Sequence, residues 1–335
     1  MARLVTQFDP PMLTETEKEL RQRTERAIST YLFDAYDIKG DVCTVVKGAN
    51  WTLAVNDGVK AVAYVRLYRD SGRSAADIAS ELSVLRAVHG TPVLEVSRPF
   101  ADRLGRTSSE FELPDGKRRP IAVFAAAAGR EMTATTSDFG RAGAALADLH
   151  RQSALERLAP DRNILHDDDW VRETLVMIAD RASSVAETIL SALDELKSLG
   201  ANMLLSPRGF CHGDMRPANL RIDGERVTFF DFDDCGTGPQ WLDVAAMALW
   251  LEVLHYDDPS ALWRAFLAAY GLTDSEALSL FVRFLVSQHQ LRVVRFLFDY
   301  CDVEAELMGH VLKQSEALIN NAAHGELRAL SRRRD

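Results

Sequence analysis

Apolar positions recur every three or four residues from about residue 14 to 34. Leu20, Ala27, Ile28 and Leu32 fall on one helical face behind a candidate N-cap, Thr14. Glu15, Glu17 and Glu19 sit at the end of that helix where peptide dipoles favour negative charge. The period then drops towards two. Short β-rich runs are expected at 42–46, 52–55 and 61–67, and Asn56-Asp57-Gly58 between the last two is a hairpin-turn sequence. Ser74-x-x-Asp77 has the form of a capping box and opens a helix over about 75–89. Strands are expected next at 96–100, 109–113 and 121–124. To this point the pattern predicts a small sheet with one helix packed on it.

Beyond 125–129 the chain changes character. Phe139, Ala142, Ala145, Leu146 and Leu149 mark a helix over 137–153, and 168–199 reads as one long helix or a helix pair. Further helices are expected at 240–254, 260–270, 275–299 and 303–322. Short strands at 210–211, 219–222 and 227–231 interrupt them. The expected fold class is α+β with two lobes. A helical extension (1–40) precedes a sheet lobe (41–124), a hinge (125–129), a mainly helical lobe (130–323) and a flexible, arginine-rich tail (324–335). A chain of 335 residues has room for this, because single cores stop growing near ~250–300 residues.

Composition narrows the function classes. Hydrophobic content of 47% and charged content of 26% are those of an ordinary globular protein. A formal net charge of −10 argues against non-specific nucleic-acid binding, which needs clustered positive charge. No apolar run approaches the ~20 residues that span a bilayer, and no apolar segment with a small-residue cleavage site opens the chain. Cys43, Cys211, Cys235 and Cys301 show no metal-ligand spacing and read as free thiols, so a cytoplasmic protein is expected.

The candidate chemistry lies in Cys211-His-Gly-Asp-Met-Arg-Pro-Ala-Asn219 and in Phe229-Phe-Asp-Phe-Asp-Asp234. Phosphoryl transfer needs one carboxylate to orient and deprotonate a hydroxyl, and further oxygens to hold magnesium against nucleotide phosphates. Asp214 is placed for the first task. Asn219 and Asp231 offer a neutral and a charged hard oxygen for Mg²⁺. His212 reads as a loop brace, His150 as structural, and Arg216 either as a partner of transferred phosphate or of Asp214, or equally as the partner of a structural carboxylate. Upstream, Val45-Val-Lys-Gly-Ala-Asn-Trp-Thr52 stands just before the hairpin, where Gly48, Asn50 and nearby amides could meet phosphates, with Lys47 as a further cation. Arg66 lies on the 61–67 strand and Glu81 on the helix after it.

Together these features resemble the aminoglycoside-phosphotransferase-like (choline kinase) branch of the protein-kinase-like fold, nearest to its stress response kinase A group. The resemblance rests on Tyr64-Val-Arg-Leu-Tyr-Arg69, Glu81, Leu149-His150, His212-Gly-Asp214, Asp231-x-Asp-Asp234 and Gly238-Pro239, and runs over about residues 40–300. It implies that Arg66 replaces the phosphate-binding lysine and pairs with Glu81. It also implies that the Ala125 carbonyl and Ala127 amide read adenine, and that Asp243 ties its helix to the catalytic loop. The expected protein is an ATP- and Mg²⁺-dependent kinase whose acceptor is a hydroxyl of a small amine-bearing metabolite. A serine/threonine protein kinase and a nucleotide-binding pseudokinase are the alternatives. The short stretch between Asp231 and Gly238 leaves no activation loop, which favours a small molecule. Acidic residues in His166-Asp-Asp-Asp-Trp170 and Asp299-Tyr-Cys-Asp302 are candidates for attracting a cation.

Overall fold

A computed structural model describes residues 14–160, 164–201 and 206–331. It divides into two compact units. One holds the described residues to Val88, Val96–Ala128 and Leu158–Pro160; the other holds His89–Glu95, Gly129–Arg157 and the described residues from 164 onward.

In the first unit α1 (Glu15–Tyr36) opens with reciprocal capping, as the Glu17 amide donates to Thr14 Oγ1 and the Thr14 amide to the Glu17 carboxylate. It buries Ile28 and Leu32 in a core with Trp51, Leu53, Val55, Val65, Leu67, Ile121 and Val123. Those residues come from an antiparallel sheet in the order β1 (Asp41–Lys47), β2 (Trp51–Asn56), β3 (Ala61–Leu67), β6 (Arg118–Ala125) and β5 (Ser108–Glu112). Asp57 Oδ1 accepts the amides of Val59 and Lys60, which closes the β2–β3 turn. Helix α2 (Ala75–Ala87) starts on the Ser74–Asp77 capping box.

The strand expected at 96–100 is not formed. Only Leu94–Val96 is extended (β4), and it joins a different sheet, ordered β4, β10, β9, β7. Pro99 has no N–H to continue a ladder, and only an isolated bridge from Pro99 to Phe124 remains.

In the second unit β7 (Arg130–Glu131) pairs with β9 (Leu220–Asp223), itself hairpinned to β10 (Arg226–Phe229). β8 (Arg208–Cys211) pairs with β11 (Gly236–Pro239), a strand whose Gly-Thr-Gly-Pro sequence carries no alternation to predict it. These two ribbons frame two loops: 212–219 runs from β8 to β9, and 230–235 from β10 to β11. The helices are α3 (Thr136–His150), α4 (Asp168–Ser198), α5 (Trp241–Val253), α6 (Pro259–Tyr270), α7 (Glu276–Tyr300) and α8 (Ala305–His324). α4 is a kinked pair, broken at Ala182 (φ −156°, ψ 81°). α3 packs on α6, α5 on α7, and α4 on α8.

The expected flexible tail is docked as far as it is described. After Gly325 caps α8, Leu327 and Ala329 are 1% exposed, and the Ala329 amide donates to Glu252 at 2.6 Å. Two buried apolar side chains hold a segment whose charge suggested solvation; 332–335 lie outside the described residues. Among the described residues no helix is long and apolar enough to cross a membrane. Cys211 and Cys235 are buried, Cys301 half-buried and Cys43 exposed, all as free thiols.

Candidate active site

The loop after β8 is shaped by one buried carboxylate. Asp243, in the first turn of α5, accepts the amides of His212 (2.6 Å) and Gly213 (2.8 Å). His150 Nε2 donates to it at 3.0 Å, while His150 Nδ1 accepts from the Tyr270 hydroxyl at 2.8 Å. Burial acts to raise the Asp243 pKa, but the bond from His150, nearby positive potential and the loop amide outweigh it and hold the carboxyl below its usual range. Gly213 has φ +85°, and a Cβ there would lie 2.1 Å from the Asp234 carbonyl oxygen, so the loop admits only glycine. Arg292 of α7 completes the frame, donating to the Gly213 carbonyl at 2.8 Å and pairing with Asp234 at 3.1 Å. Asp234 is thereby engaged by α7.

His212 links the two loops. The Asp214 amide donates to its Nδ1 (3.2 Å), so Nε2 carries the hydrogen and donates to the Phe230 carbonyl (3.1 Å). Asn219 sends its amide nitrogen to both the backbone oxygen and Oδ2 of Asp214, each at 2.9 Å. That leaves its carbonyl oxygen as the atom suited to a cation. The Phe230 amide donates to the Asn219 backbone carbonyl (3.2 Å), and Asp231 follows with left-handed backbone, φ 68° and ψ 58°. Such a conformation costs a non-glycine residue ~1–2 kcal/mol.

Arg216 lies between the carboxylates, with Nε 3.1 Å from Asp214 and Nη2 3.9 Å from Asp231, and its guanidinium over the Trp250 ring at 5.4 Å. The Asp214 charge is the main cause raising its pKa. Among the described residues no group of three or more His, Cys, Asp or Glu is placed to hold a metal. An amide oxygen and a carboxylate fit Mg²⁺ only with waters and phosphate oxygens completing its shell.

The first unit carries the other candidates. Arg66 donates to Glu81 Oε1 and the Tyr68 hydroxyl to Oε2, both at 3.0 Å, within a buried cluster. The guanidinium also lies near two rings, 5.6 Å from Tyr68 and 5.4 Å from Phe124. A planar cation gains from those faces in a way a lysine does less well, a physical reason for arginine here. Lys47, at the end of β1, places its ammonium 5.0 Å over Trp51. The Gly48 amide donates to the Asn50 carbonyl at 3.1 Å, but a Cβ at Gly48 would meet nothing closer than 3.7 Å, so sterics do not demand glycine. Asn50 Oδ1 accepts the Arg69 amide at 3.0 Å, tying the hairpin to the chain after β3. Ala125 donates its amide to Arg98 (2.8 Å) and its carbonyl accepts from Ser97 Oγ (2.5 Å), so both its main-chain groups already have protein partners. Ala127 is half-buried, beside Ala126, whose amide donates to Val62.

The structure thus brings together Arg66 with Glu81, and Asp214 with Asn219, Arg216 and Asp231. Four carboxylates of the acidic runs are engaged with the protein itself. Asp167 caps α4, Asp168 pairs with Lys197, Asp169 with Arg172 and Asp299 with Arg295. What lies beside them is His166, stacked on Trp170 at 3.8 Å, with burial lowering its pKa to about 4. Sequence reasoning missed Tyr68, Arg292, Trp250 and Tyr270. Tyr68 had a signal, two residues after Arg66 and so on the same strand face; the others lie far along the chain.

The comparisons agree with this architecture. An uncharacterized protein of Deinococcus radiodurans is 29% identical over 269 residues, 76% of this chain and 77% of that one. A microcompartment-associated aminopropanol kinase superposes with a TM-score of 0.67 at 21% identity, covering 91% of this chain and 100% of that one. An amicoumacin kinase in complex with AMP-PNP and Ca²⁺ gives 0.65 at 20%, covering 90% and 96%. A spectinomycin phosphotransferase with bound ADP gives 0.64 at 13%, covering 90% and 98%. At these identities the structures speak for the fold, and the family follows from sequence: the model of the phosphotransferase enzyme family matches residues 47–281. That match spans more than half of the sequence and includes the loops that carry Asp214, Asn219 and Asp231, and the chain belongs to the phosphotransferase enzyme family.

Proposed function

We propose that this protein transfers the γ-phosphate of ATP, with Mg²⁺, to a hydroxyl of a small amine-bearing metabolite. The observation that carries the reading is the Asp214 carboxylate, with Oδ2 held by Asn219 at 2.9 Å. An oriented carboxylate beside candidate metal oxygens is what a hydroxyl acceptor needs, and positioned proton removal contributes ~10²–10⁴ in rate. Asp214 would take the hydroxyl proton, while Asn219 Oδ1 and Asp231 would hold Mg²⁺. When bound, Mg²⁺ supplies charge neutralisation for the phosphates. Arg66, fixed by Glu81, would be a phosphate-binding cation, the role the resemblance gives it.

A small acceptor is favoured by the segment after Asp231, where a single 3₁₀ turn, Phe232–Asp234, leads into β11 and leaves no peptide-docking loop. The amine follows the structural neighbours, whose names carry amicoumacin, aminopropanol and spectinomycin. An ATP-consumption screen over amino alcohols, amino sugars and hydroxy-amino acids, beside a casein assay, tests the reading, with Asp214→Asn as the control that keeps nucleotide binding and loses at least ~10²-fold in turnover. Turnover on casein with none on any small amine would install a protein kinase instead.

A further inference from the structure

Four carboxylates crowd the two loops, at Asp214, Asp231, Asp233 and Asp234. Like charges on adjoining loops repel unless cations lie among them. Arg292 is paired with Asp234 and engaged with the Gly213 carbonyl. Arg216 is in contact with both the base candidate and the metal candidate. Its two contacts differ. The one to Asp214 is short, at 3.1 Å, and the one to Asp231 is long, at 3.9 Å. A loose, one-third-exposed ion pair is weakly held and can be exchanged. Trp250, 7% exposed and beneath the guanidinium, gives the side chain a fixed platform from which only its outer nitrogens need move.

Resting on the function proposed above, we propose that Arg216 is an internal counter-ion that competes with the metal for Asp231 and, once displaced from it, binds the phosphoryl group in transit. The path of that group imposes this. It runs from a nucleotide held through Asn219 and Asp231 to a hydroxyl held by Asp214, and Arg216 touches the carboxylates at both ends. In the step the bond between γ-phosphorus and the β–γ bridging oxygen breaks, with its electron pair leaving on ADP. The acceptor oxygen forms its bond to phosphorus and gives its proton to Asp214. Negative charge on the equatorial oxygens meets the guanidinium, whose planar donors suit phosphate. The ion pair with Asp214 is kept throughout, so Arg216 also holds the base in place.

Competition and catalysis pull in opposite directions, and that separates this role from a structural one. In Arg216→Gln the Mg²⁺ concentration needed for half-maximal ATP binding should fall, by about threefold on the scale of a partly exposed ion pair. Turnover should drop ~10²-fold, with unchanged melting temperature. Arg216→Lys should restore the wild-type Mg²⁺ requirement and only part of the turnover, since a point charge replaces a fork. Calorimetric titration of ATP at stepped Mg²⁺ gives the first readout without an acceptor. An unchanged or raised Mg²⁺ requirement in Arg216→Gln, or equal turnover in the Lys and Gln variants, overturns the counter-ion. Wild-type protein that binds no ATP at any Mg²⁺ concentration overturns the phosphotransfer reading as well.

Discussion

Replacing Asp243 by Asn should destabilise the second unit and silence the site together. The carboxylate accepts three hydrogen bonds, from His212 N, Gly213 N and His150 Nε2, at 2.6, 2.8 and 3.0 Å. It is 0% exposed, so water cannot replace a lost partner. The best amide rotamer keeps oxygen towards His212 and His150 and turns NH₂ against the Gly213 amide. One charge-assisted bond worth ~1.5–3 kcal/mol is lost, and a buried N–H is left unsatisfied at a further ~1–3 kcal/mol. The sum, ~2.5–6 kcal/mol, brackets the ~3–5 kcal/mol usual for breaking a buried charged pair. Denaturant unfolding followed by tryptophan fluorescence reads this, because Trp170, Trp241, Trp250 and Trp263 all lie in the second unit and Trp51 alone in the first.

The pH dependence has a definite sign. The folded-state pKa of Asp243 is depressed, so its contribution is complete above the unfolded carboxylate value near ~3.9 and is lost as pH falls through the folded value. The gap between wild type and Asp243→Asn should therefore be constant from about pH 5 to 8 and close only in stronger acid. A variant within ~1 kcal/mol of wild type at neutral pH, with turnover intact, would falsify the brace.

Further outcomes follow from single contacts. Gly213→Ala should fold yet lose ~10²-fold in turnover, because the Asp234 carbonyl at 2.1 Å from the new Cβ must displace the loop; wild-type kinetics would show that the loop can relax freely. Arg66→Lys should keep measurable activity and Arg66→Met lose most of it, with Glu81→Gln weakening ATP use in a folded protein; full activity in Arg66→Met would turn attention to Lys47. Asp231→Ala should abolish Mg²⁺-dependent ATP binding, whereas Asn219→Ala weakens it less, since water can replace a neutral ligand; unchanged metal dependence in Asp231→Ala would take that residue out of the site.

Much of the frame was legible because it is local. Capping at Thr14 and Ser74, the Asn56-Asp57-Gly58 turn, and the switch of hydrophobic period near 125–129 act within a few residues, and the elements they predict are found within a few residues of their expected ends. The pairing of Arg66 with Glu81 was also within reach, through the resemblance that implied it. Asp214 and Asn219 meet across one loop turn, a distance that spacing can encode. What spacing could not encode is partnership across the chain. Asp243 meets His150 over 93 residues and Arg292 meets Gly213 over 79. The seating of Leu327 and Ala329, the formation of β11 opposite β8, and the spending of Asp167, Asp168 and Asp169 on caps and salt bridges were likewise decided by packing. The same holds for Arg216: its charge was plain in the sequence, but its place between Asp214 and Asp231 exists only because two ribbons bring their loops together. Local propensity chose the elements, and the burial of apolar faces chose which distant polar groups would have to satisfy one another.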